Sequence, residues 1–311
     1  MTNIPFATDG SIPRYLLLMN VKMLVATVVA CCFLTPQAHA DEGTFDSNGV
    51  KIRYSIEGEG EPVVLVHGWM GDSSMWGRDK TGNTKLNPIE GFQAIALDCR
   101  GHGKSDKPHE KEKYGAEMAE DIVRLLDHLK IKKAHLIGYS MGTFLVARVA
   151  ATHPDRVLSL IYGGQAPLIS GPAWTDANEV TVFAKAVADG KGLGPYIQEV
   201  MPADKKPTLD QANAYAKIMF GNKDVQAFAA AGLSFRDLRV SKDDLKKCDV
   251  PTLFIHGAND PSRDRIASVQ KQLGRGEVKI VAGGDHMTTL TKPEFGSTIV
   301  EFLRAHKSKK F

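Results

Sequence analysis

The residues best able to do chemistry form a Gly-x-Ser-x-Gly pentapeptide at positions 138–142, Gly-Tyr-Ser-Met-Gly. A buried strand is predicted directly before it, over 134–137, and a helix directly after it, over 141–152. In that context the two glycines permit a tight turn that exposes the serine oxygen. A serine hydroxyl is a weak nucleophile at neutral pH, so it needs a neighbouring base and hydrogen-bond donors for the oxyanion. We therefore predict that Ser140 is a catalytic nucleophile.

The elements that must position Ser140 alternate between two kinds of pattern along the chain. Short, near-continuous apolar runs are typical of parallel strands that are buried on both faces, and segments of helical periodicity separate them. This alternation predicts an α/β fold with a mostly parallel, doubly wound sheet. The apolar runs lie at 63–66, 94–97, 134–137, 157–162, 252–255 and 278–281, after a half-exposed alternating strand within 49–61.

The segment 167–247 carries helical patterns in place of strand patterns, and one of its helices is predicted to begin at a capping box of Thr208 and Gln211. An insertion of this kind between two buried strands should lie over the carboxyl ends of the sheet, where α/β proteins bind ligands. We therefore predict a helical cap. The predicted organisation is a core over 41–166, the cap over 167–247 and a second part of the core over 248–311.

Several motifs resemble those of the α/β-hydrolase superfamily, in that family's order, and the resemblance covers roughly residues 44 to 306. It implies the α/β-hydrolase fold with a helical cap. The motifs are Val-Val-Leu-Val-His-Gly-Trp at 63–69, Asp-Cys-Arg-Gly-His-Gly-Lys-Ser at 98–105, the serine pentapeptide, Ile-His-Gly-Ala-Asn-Asp-Pro at 255–261 and Gly-Gly-Asp-His-Met at 283–287.

The resemblance implies a catalytic triad in the chain order serine, acid, histidine. Asp260 stands at the position of the acid and His286 at that of the base. The main-chain N–H groups of Trp69 and Met141 are then the expected oxyanion donors. Asp285 stands where the family often has glycine, and its carboxylate could compete for the imidazole or tune its pKa.

Four residues in or beside these motifs are predicted to contact the substrate: Trp69, Met70, Tyr139 and Met141. Among the other conspicuous side chains, we expect His67 to organise the oxyanion loop and Asp98 to stabilise its own turn. Asp264 is a weaker candidate for the acid, because it falls where the next helix should begin. The sequence contains no His-Glu-x-x-His motif and no paired Cys-x-x-Cys motif, so we expect no catalytic metal and no cofactor.

Composition excludes several other classes of protein. The 39 Lys and Arg residues nearly balance the 36 Asp and Glu residues, and a net charge of +3 without a basic arm gives no reason to expect nucleic acid as a partner. Four cysteines are too few for a disulfide scaffold. Whether Cys99 and Cys248 pair is left open.

Residues 1–40 are predicted to be a signal peptide. Lys22 supplies the positive region, 23–34 the apolar stretch, and Ala38-His39-Ala40 a cleavage site, which predicts a secreted or periplasmic protein. The apolar stretch is too short to span a bilayer, which needs about 20 residues. The alternative is a lipoprotein anchored through Cys31, and Met19 or Met23 would give a leader of more ordinary length.

The expected activity is hydrolysis, through an acyl-enzyme, of a carboxylic ester of a small to medium substrate. The same triad also serves hydrolases of C–C bonds and cofactor-free perhydrolases in this superfamily, and these remain alternatives. A ligand sensor with little turnover is a further alternative from another class. The sequence identifies neither the small-molecule substrate nor the oligomeric state.

Overall fold

The computed structural model describes residues 41–77, 86, 89–170, 178–201 and 205–308. The predicted signal peptide, including Cys31, lies outside these residues. Within the described ranges, no helix is both long and apolar enough to cross a bilayer.

One sheet organises the described part of the chain. Its strands are β1 (Asp41–Asp46), β2 (Lys51–Glu57), β3 (Glu61–Val66), β4 (Phe92–Leu97), β5 (Ala134–Tyr139), β6 (Val157–Gly163), β7 (Thr252–Gly257) and β8 (Glu277–Val281). Their spatial order is β1-β2-β4-β3-β5-β6-β7-β8. The pairs of β2 with β1 and with β4 are antiparallel, and all other neighbours are parallel. The predicted α/β fold with a mostly parallel, doubly wound sheet is confirmed.

Helices cover both faces of the sheet and form the segment between β6 and β7. They are α1 (Ala116–His128), α2 (Met141–Thr152), α3 (Asn178–Asp189), α4 (Gly194–Val200), α5 (Leu209–Phe220), α6 (Val225–Leu233), α7 (Lys242–Lys247), α8 (Arg263–Leu273) and α9 (Pro293–Ala305). Side chains of α1, α2 and α8 share one apolar core with one face of the sheet. Side chains of α9 pack into a second core on the opposite face, together with Trp76.

The helices α3 to α6, which we call the cap segment, enclose a third apolar cluster centred on Phe183, Phe220 and Phe228. The predicted capping box is present at the start of α5. The Thr208 side chain accepts from the main-chain N–H of Gln211, and the Gln211 side chain accepts from that of Thr208.

Two features of the sheet differ from the sequence prediction. The run 278–281 was expected to be buried on both faces, but Val278 is 37% exposed and Ile280 58% exposed. The reason is that β8 ends the sheet and pairs with β7 alone. The strand β1 was not predicted, because its polar sequence pairs only with β2 at the opposite edge and needs little apolar surface.

Candidate active site

Ser140 occupies a sharp turn between the end of β5 and the start of α2. Its φ of 52° and ψ of −116° lie in a region that residues other than glycine seldom adopt. The flanking glycines are needed for close packing. A Cβ atom at Gly142 would overlap the carbonyl oxygen of Val66, and one at Gly138 would overlap that of Gly142. The turn therefore presses against β3 and holds the serine in a strained conformation.

His286 lies between Ser140 and Asp260 and is within hydrogen-bond distance of both. Its Nε2 is 3.0 Å from Ser140 Oγ, and its Nδ1 is 3.1 Å from Asp260 Oδ2. Asp260 follows β7 and is fully buried, whereas the His286 side chain follows β8 and is 30% exposed. Three residues separated widely in sequence thus form one hydrogen-bonded chain at the carboxyl ends of three parallel strands.

The other oxygen of Asp260 is held by Ser262. Asp260 Oδ1 accepts from the Ser262 main-chain N–H at 2.9 Å and from the Ser262 hydroxyl at 2.6 Å. Burial by itself would raise the pKa of Asp260, but the hydrogen bonds from His286 and Ser262 outweigh it, and the pKa lies below its usual value. An ionised Asp260 can only accept, so Nδ1 of His286 carries a proton and Nε2 is left to accept from the Ser140 hydroxyl.

The predicted oxyanion residues flank this serine. The turn Gly68–Gly71 is closed by a bond from the Gly71 N–H to the Gly68 carbonyl at 3.2 Å. A Cβ atom at Gly68 would be 3.3 Å from Ser140 Cβ, so the turn touches the nucleophile. Within the described residues, the main-chain N–H groups of Trp69 and Met141 donate to no protein acceptor. The N–H of Met141, next to Ser140, and that of Trp69, in the turn that contacts Ser140, remain the predicted oxyanion donors.

His67 stabilises the same turn through two hydrogen bonds of its ring. Its Nε2 accepts from the Cys99 main-chain N–H at 2.9 Å, and its Nδ1 is 2.8 Å from the Gly68 carbonyl oxygen. Because a main-chain N–H can only donate and a carbonyl can only accept, the proton lies on Nδ1. Burial lowers the pKa of His67 and keeps the ring neutral. These bonds give His67 the structural role that the sequence predicts.

Asp98 also has contacts of a structural kind. Its two carboxylate oxygens accept from the main-chain N–H groups of Ser73 and Lys104, each at 2.8 Å. The carboxylate thereby joins the loop after β3 to the turn after β4, which fits the expectation that Asp98 stabilises its own turn.

Asp285 uses its carboxylate within its own loop. Oδ1 accepts from the main-chain N–H groups of Met287 and Thr288 at 2.9 and 2.8 Å. The imidazole of His286 is bonded to Asp260 and Ser140 instead. Asp285 therefore shapes the turn that presents the histidine and does not compete for its nitrogen atoms.

The four predicted substrate contacts separate into two pairs. Trp69 and Met70 are half-buried and lie beneath the cap segment. The side chains of Tyr139 and Met141 are only 3% and 1% exposed, and they pack into the cores on opposite faces of the sheet. The tight turn directs both of them into the body of the protein, so the expectation that these two side chains contact the substrate is corrected. The main-chain N–H of Met141 remains beside Ser140.

The residues that sequence reasoning missed lie around this site. Ser262 follows the acid by two positions and fixes its orientation. Phe183, Tyr196 and Phe235 surround the Trp69 ring edge-on, with ring centroids 5.2, 6.4 and 5.7 Å away. The apolar stripe of α3 could have suggested Phe183, but no local pattern indicates its contact with Trp69.

The described residues contain no group of three or more His, Cys, Asp or Glu side chains that could hold a metal ion. Cys99 and Cys248 are both buried and unpaired with each other. Burial raises the pKa of both thiols, to about 11 for Cys248.

Comparisons with known proteins agree with this architecture. Residues 61–186 match the family model described as alpha/beta hydrolase fold. The chain is 28% identical over 268 residues to a Bacillus subtilis protein with the provisional name 2-succinyl-6-hydroxy-2,4-cyclohexadiene-1-carboxylate synthase, covering 81% of this chain and 95% of the relative. It is 27% identical over 287 residues to a non-heme chloroperoxidase of Kitasatospora aureofaciens, covering 82% and 97%.

Solved structures show the same similarity. An esterase from Exiguobacterium antarcticum superposes with a TM-score of 0.66 at 25% identity, covering 84% of this chain and 99% of the esterase.

Proposed function

The chain belongs to the α/β-hydrolase superfamily, and on that premise we propose that it is a serine hydrolase that cleaves carboxylic esters of small to medium, largely uncharged substrates. The observation that carries the proposal is the bonded chain from Ser140 through His286 to Asp260. This chain supports the proposal, because a base beside the nucleophile and an ionised acid beside the base are the arrangement that activates a serine.

The proposed reaction begins when Ser140 Oγ attacks the ester carbonyl carbon and His286 Nε2 takes the hydroxyl proton. The carbonyl oxygen becomes an oxyanion, which accepts hydrogen bonds from the main-chain N–H groups of Trp69 and Met141. Collapse of the tetrahedral intermediate breaks the bond to the alcohol, which leaves with the proton returned by His286. Water, deprotonated by His286, then attacks the acyl-enzyme and releases the acid.

Asp260 determines which nitrogen of His286 exchanges the proton in this cycle. Its buried carboxylate holds the Nδ1 proton of His286 and stabilises the imidazolium that forms in each half of the reaction. Proton transfer thus occurs at Nε2 alone, where Ser140 lies.

A solved structure supports cleavage of an ester. The solved esterase from Exiguobacterium antarcticum has the same fold.

A second candidate activity is perhydrolysis, in which hydrogen peroxide replaces water and attacks the acyl-enzyme to give a peracid. The similarity to a non-heme chloroperoxidase along nearly the whole of that relative favours this candidate. The two activities share the triad and differ only in the second nucleophile.

The test is hydrolysis of p-nitrophenyl esters of increasing acyl length by the purified protein, beside Ser140→Ala at equal concentration. We expect multiple turnovers that decline beyond a certain chain length and disappear in the variant. Turnover that persists in Ser140→Ala, or its absence for every ester, would contradict the proposal. Addition of hydrogen peroxide with a peracid-sensitive dye distinguishes the second candidate.

We also propose that the protein is exported and cleaved after Ala40, on the strength of the sequence pattern of residues 1–40. Expression of the full chain in a bacterial host, followed by mass determination of the protein outside the cytoplasm, tests this. A mature chain beginning at Asp41 is expected. A lipid-modified chain beginning at Cys31 would instead establish the lipoprotein alternative.

A further inference from the structure

We propose that the cap segment positions the oxyanion turn, and that Lys223 and the carbonyl of Phe228 hold Met70 and Trp69 so that the Trp69 main-chain N–H stays directed at the reacting oxygen. The inference rests on the proposed function, because it assigns a part of the proposed ester hydrolysis to the cap. Lys223 and Phe228 are positioning residues, since they act through the turn.

The first attachment is made by the Trp69 side chain. Its indole Nε1–H donates to the carbonyl of Phe228 in α6 at 2.9 Å. The indole also lies across a glycine of the same helix, because a Cβ atom at Gly232 would be 2.9 Å from Trp69 Cζ2. Glycine in a helix interior costs stability, and here it makes room for the ring. The residue whose main-chain N–H is the proposed oxyanion donor is therefore anchored to the cap by its own side chain.

The second attachment is made at Met70. The ammonium of Lys223 donates to the Met70 carbonyl at 2.9 Å, and the Tyr196 hydroxyl lies 3.8 Å from the Met70 sulfur. Met70 has a φ of 62°, in the left-handed region that favours glycine. Such a conformation persists only where the surroundings hold it. Two cap residues thus hold the strained position of the turn.

The helix that carries these contacts is itself fixed to the core at both ends. Asp224, which caps the start of α6, is 3.0 Å from Nε2 of His109. Ser234, just after its end, accepts from the Gly115 main-chain N–H at 2.9 Å. Because α6 is attached on both sides of Phe228, it can serve as a rigid support for the turn.

The consequence concerns the transition state more than the bound substrate. An oxyanion donor is useful only if it points to where charge develops, and a misplacement of about 1 Å can cost roughly 100-fold in rate. Loosening the turn should therefore lower kcat and leave KM nearly unchanged.

The test compares Trp69→Phe, which removes the indole N–H, and Lys223→Met, which removes the ammonium, with two matched controls. Trp76→Phe changes a buried tryptophan whose Nε1 has no partner among the described residues. Lys217→Met changes an exposed lysine of the same cap. Each protein is assayed for kcat and KM on p-nitrophenyl butyrate, and for inhibition by phenylboronic acid, whose tetrahedral serine adduct needs the oxyanion donors.

We expect kcat and the affinity for phenylboronic acid to fall together, by about 5-fold to 100-fold, in Trp69→Phe and Lys223→Met. KM should change less than about 2-fold, and Lys223→Arg, which keeps a donor, should recover most of the activity. The two controls should resemble the original protein.

Two results would overturn the inference while leaving the proposed function intact. One is that kcat and inhibitor affinity are unchanged in both variants. The other is a change confined to KM, which would mean that the side chains contact substrate directly. If the unmodified protein turned over no ester and bound no boronate, the proposed function would fail and this inference with it.

Discussion

The hydroxyl of Tyr139 donates a hydrogen bond of 2.6 Å to the main-chain carbonyl of His286. The two rings also lie against each other, with centroids 5.6 Å apart. The residue directly before the nucleophile thus holds the loop that carries the base. This bond connects the end of β5 with the loop after β8. It thereby fixes the position of the His286 imidazole relative to Ser140.

Tyr139→Phe removes this bond and keeps the ring. Since a hydrogen bond of this kind contributes about 0.5–1.5 kcal/mol, we expect kcat to fall about 2-fold to 10-fold with KM unchanged. Steady-state kinetics on a p-nitrophenyl ester measure the effect, with Tyr215→Phe as a control because Tyr215 is 50% exposed on the cap. Equal kcat in Tyr139→Phe and the control would show that the bond does not position His286.

Asp260→Asn should be far more damaging. The Ser262 N–H and hydroxyl occupy one side of this carboxylate as donors, so the amide oxygen of the asparagine must lie there and its NH₂ must face Nδ1 of His286. The imidazole then carries its proton on Nε2 and cannot accept from Ser140. We expect kcat to fall about 10⁴-fold, as in other triads with this change.

The matched control is Asp264→Asn, since the Asp264 side chain is 94% exposed at the start of α8. It should keep full activity. A large loss in Asp264→Asn with a small one in Asp260→Asn would transfer the role of the acid to Asp264.

Acid should destabilise the fold through two buried histidines. Burial lowers the pKa of His102 to about 3 and also lowers that of His67, whose ring lies 5.1 Å away. In the unfolded chain both have a pKa of about 6.5. Below pH 6.5 the unfolded state therefore binds more protons than the folded state. The part of the stability that depends on these two histidines is fully present above pH 6.5 and is lost as the pH falls.

We therefore expect the free energy of unfolding to fall by up to about 1.4 kcal/mol per pH unit for each histidine below pH 6. Urea unfolding at several pH values between 7.5 and 4.5 measures the slope. His102→Gln should lower the slope of the free energy of unfolding against pH by the equivalent of about one bound proton, whatever the variant's stability at pH 7.5. An identical slope in the variant would show that His102 does not contribute.

Gly142→Ala should disrupt the nucleophile turn. A Cβ atom there would overlap the Val66 carbonyl of β3, which cannot move without breaking strand pairing. We expect a loss of at least about 3 kcal/mol in the free energy of unfolding, or failure to fold. Gly77→Ala is the control, because its Cβ would be 3.5 Å from the nearest atom, an ordinary contact. Thermal unfolding of the two variants decides the prediction, and equal midpoints would contradict it.

Much of the sheet was predictable because strands buried on both faces leave continuous apolar runs. Such a run at 278–281 was misleading, since a strand at the edge of the sheet keeps its apolar residues exposed. The candidate triad residues could be named because each follows a strand within a local motif, and parallel strands bring their carboxyl ends together.

What could not be predicted depends on contacts between distant segments. Tyr139 and Met141 flank Ser140 in sequence, but only the strained turn decides that both side chains point into the core. Trp69 and Phe228 are bonded although 159 positions separate them. Neither helical nor strand periodicity records such a pairing.

The most direct test of the central claim is covalent labelling of the purified protein with diisopropyl fluorophosphate, followed by intact-mass and peptide analysis. Ser140 Oγ should displace fluoride and carry one phosphoryl group per chain. Ser140→Ala should remain unlabelled, and His286→Ala should react at least about 10³-fold more slowly. Labelling of Ser140→Ala at the original rate, or no labelling of the original protein, would contradict the account of Ser140 as a nucleophile activated by His286.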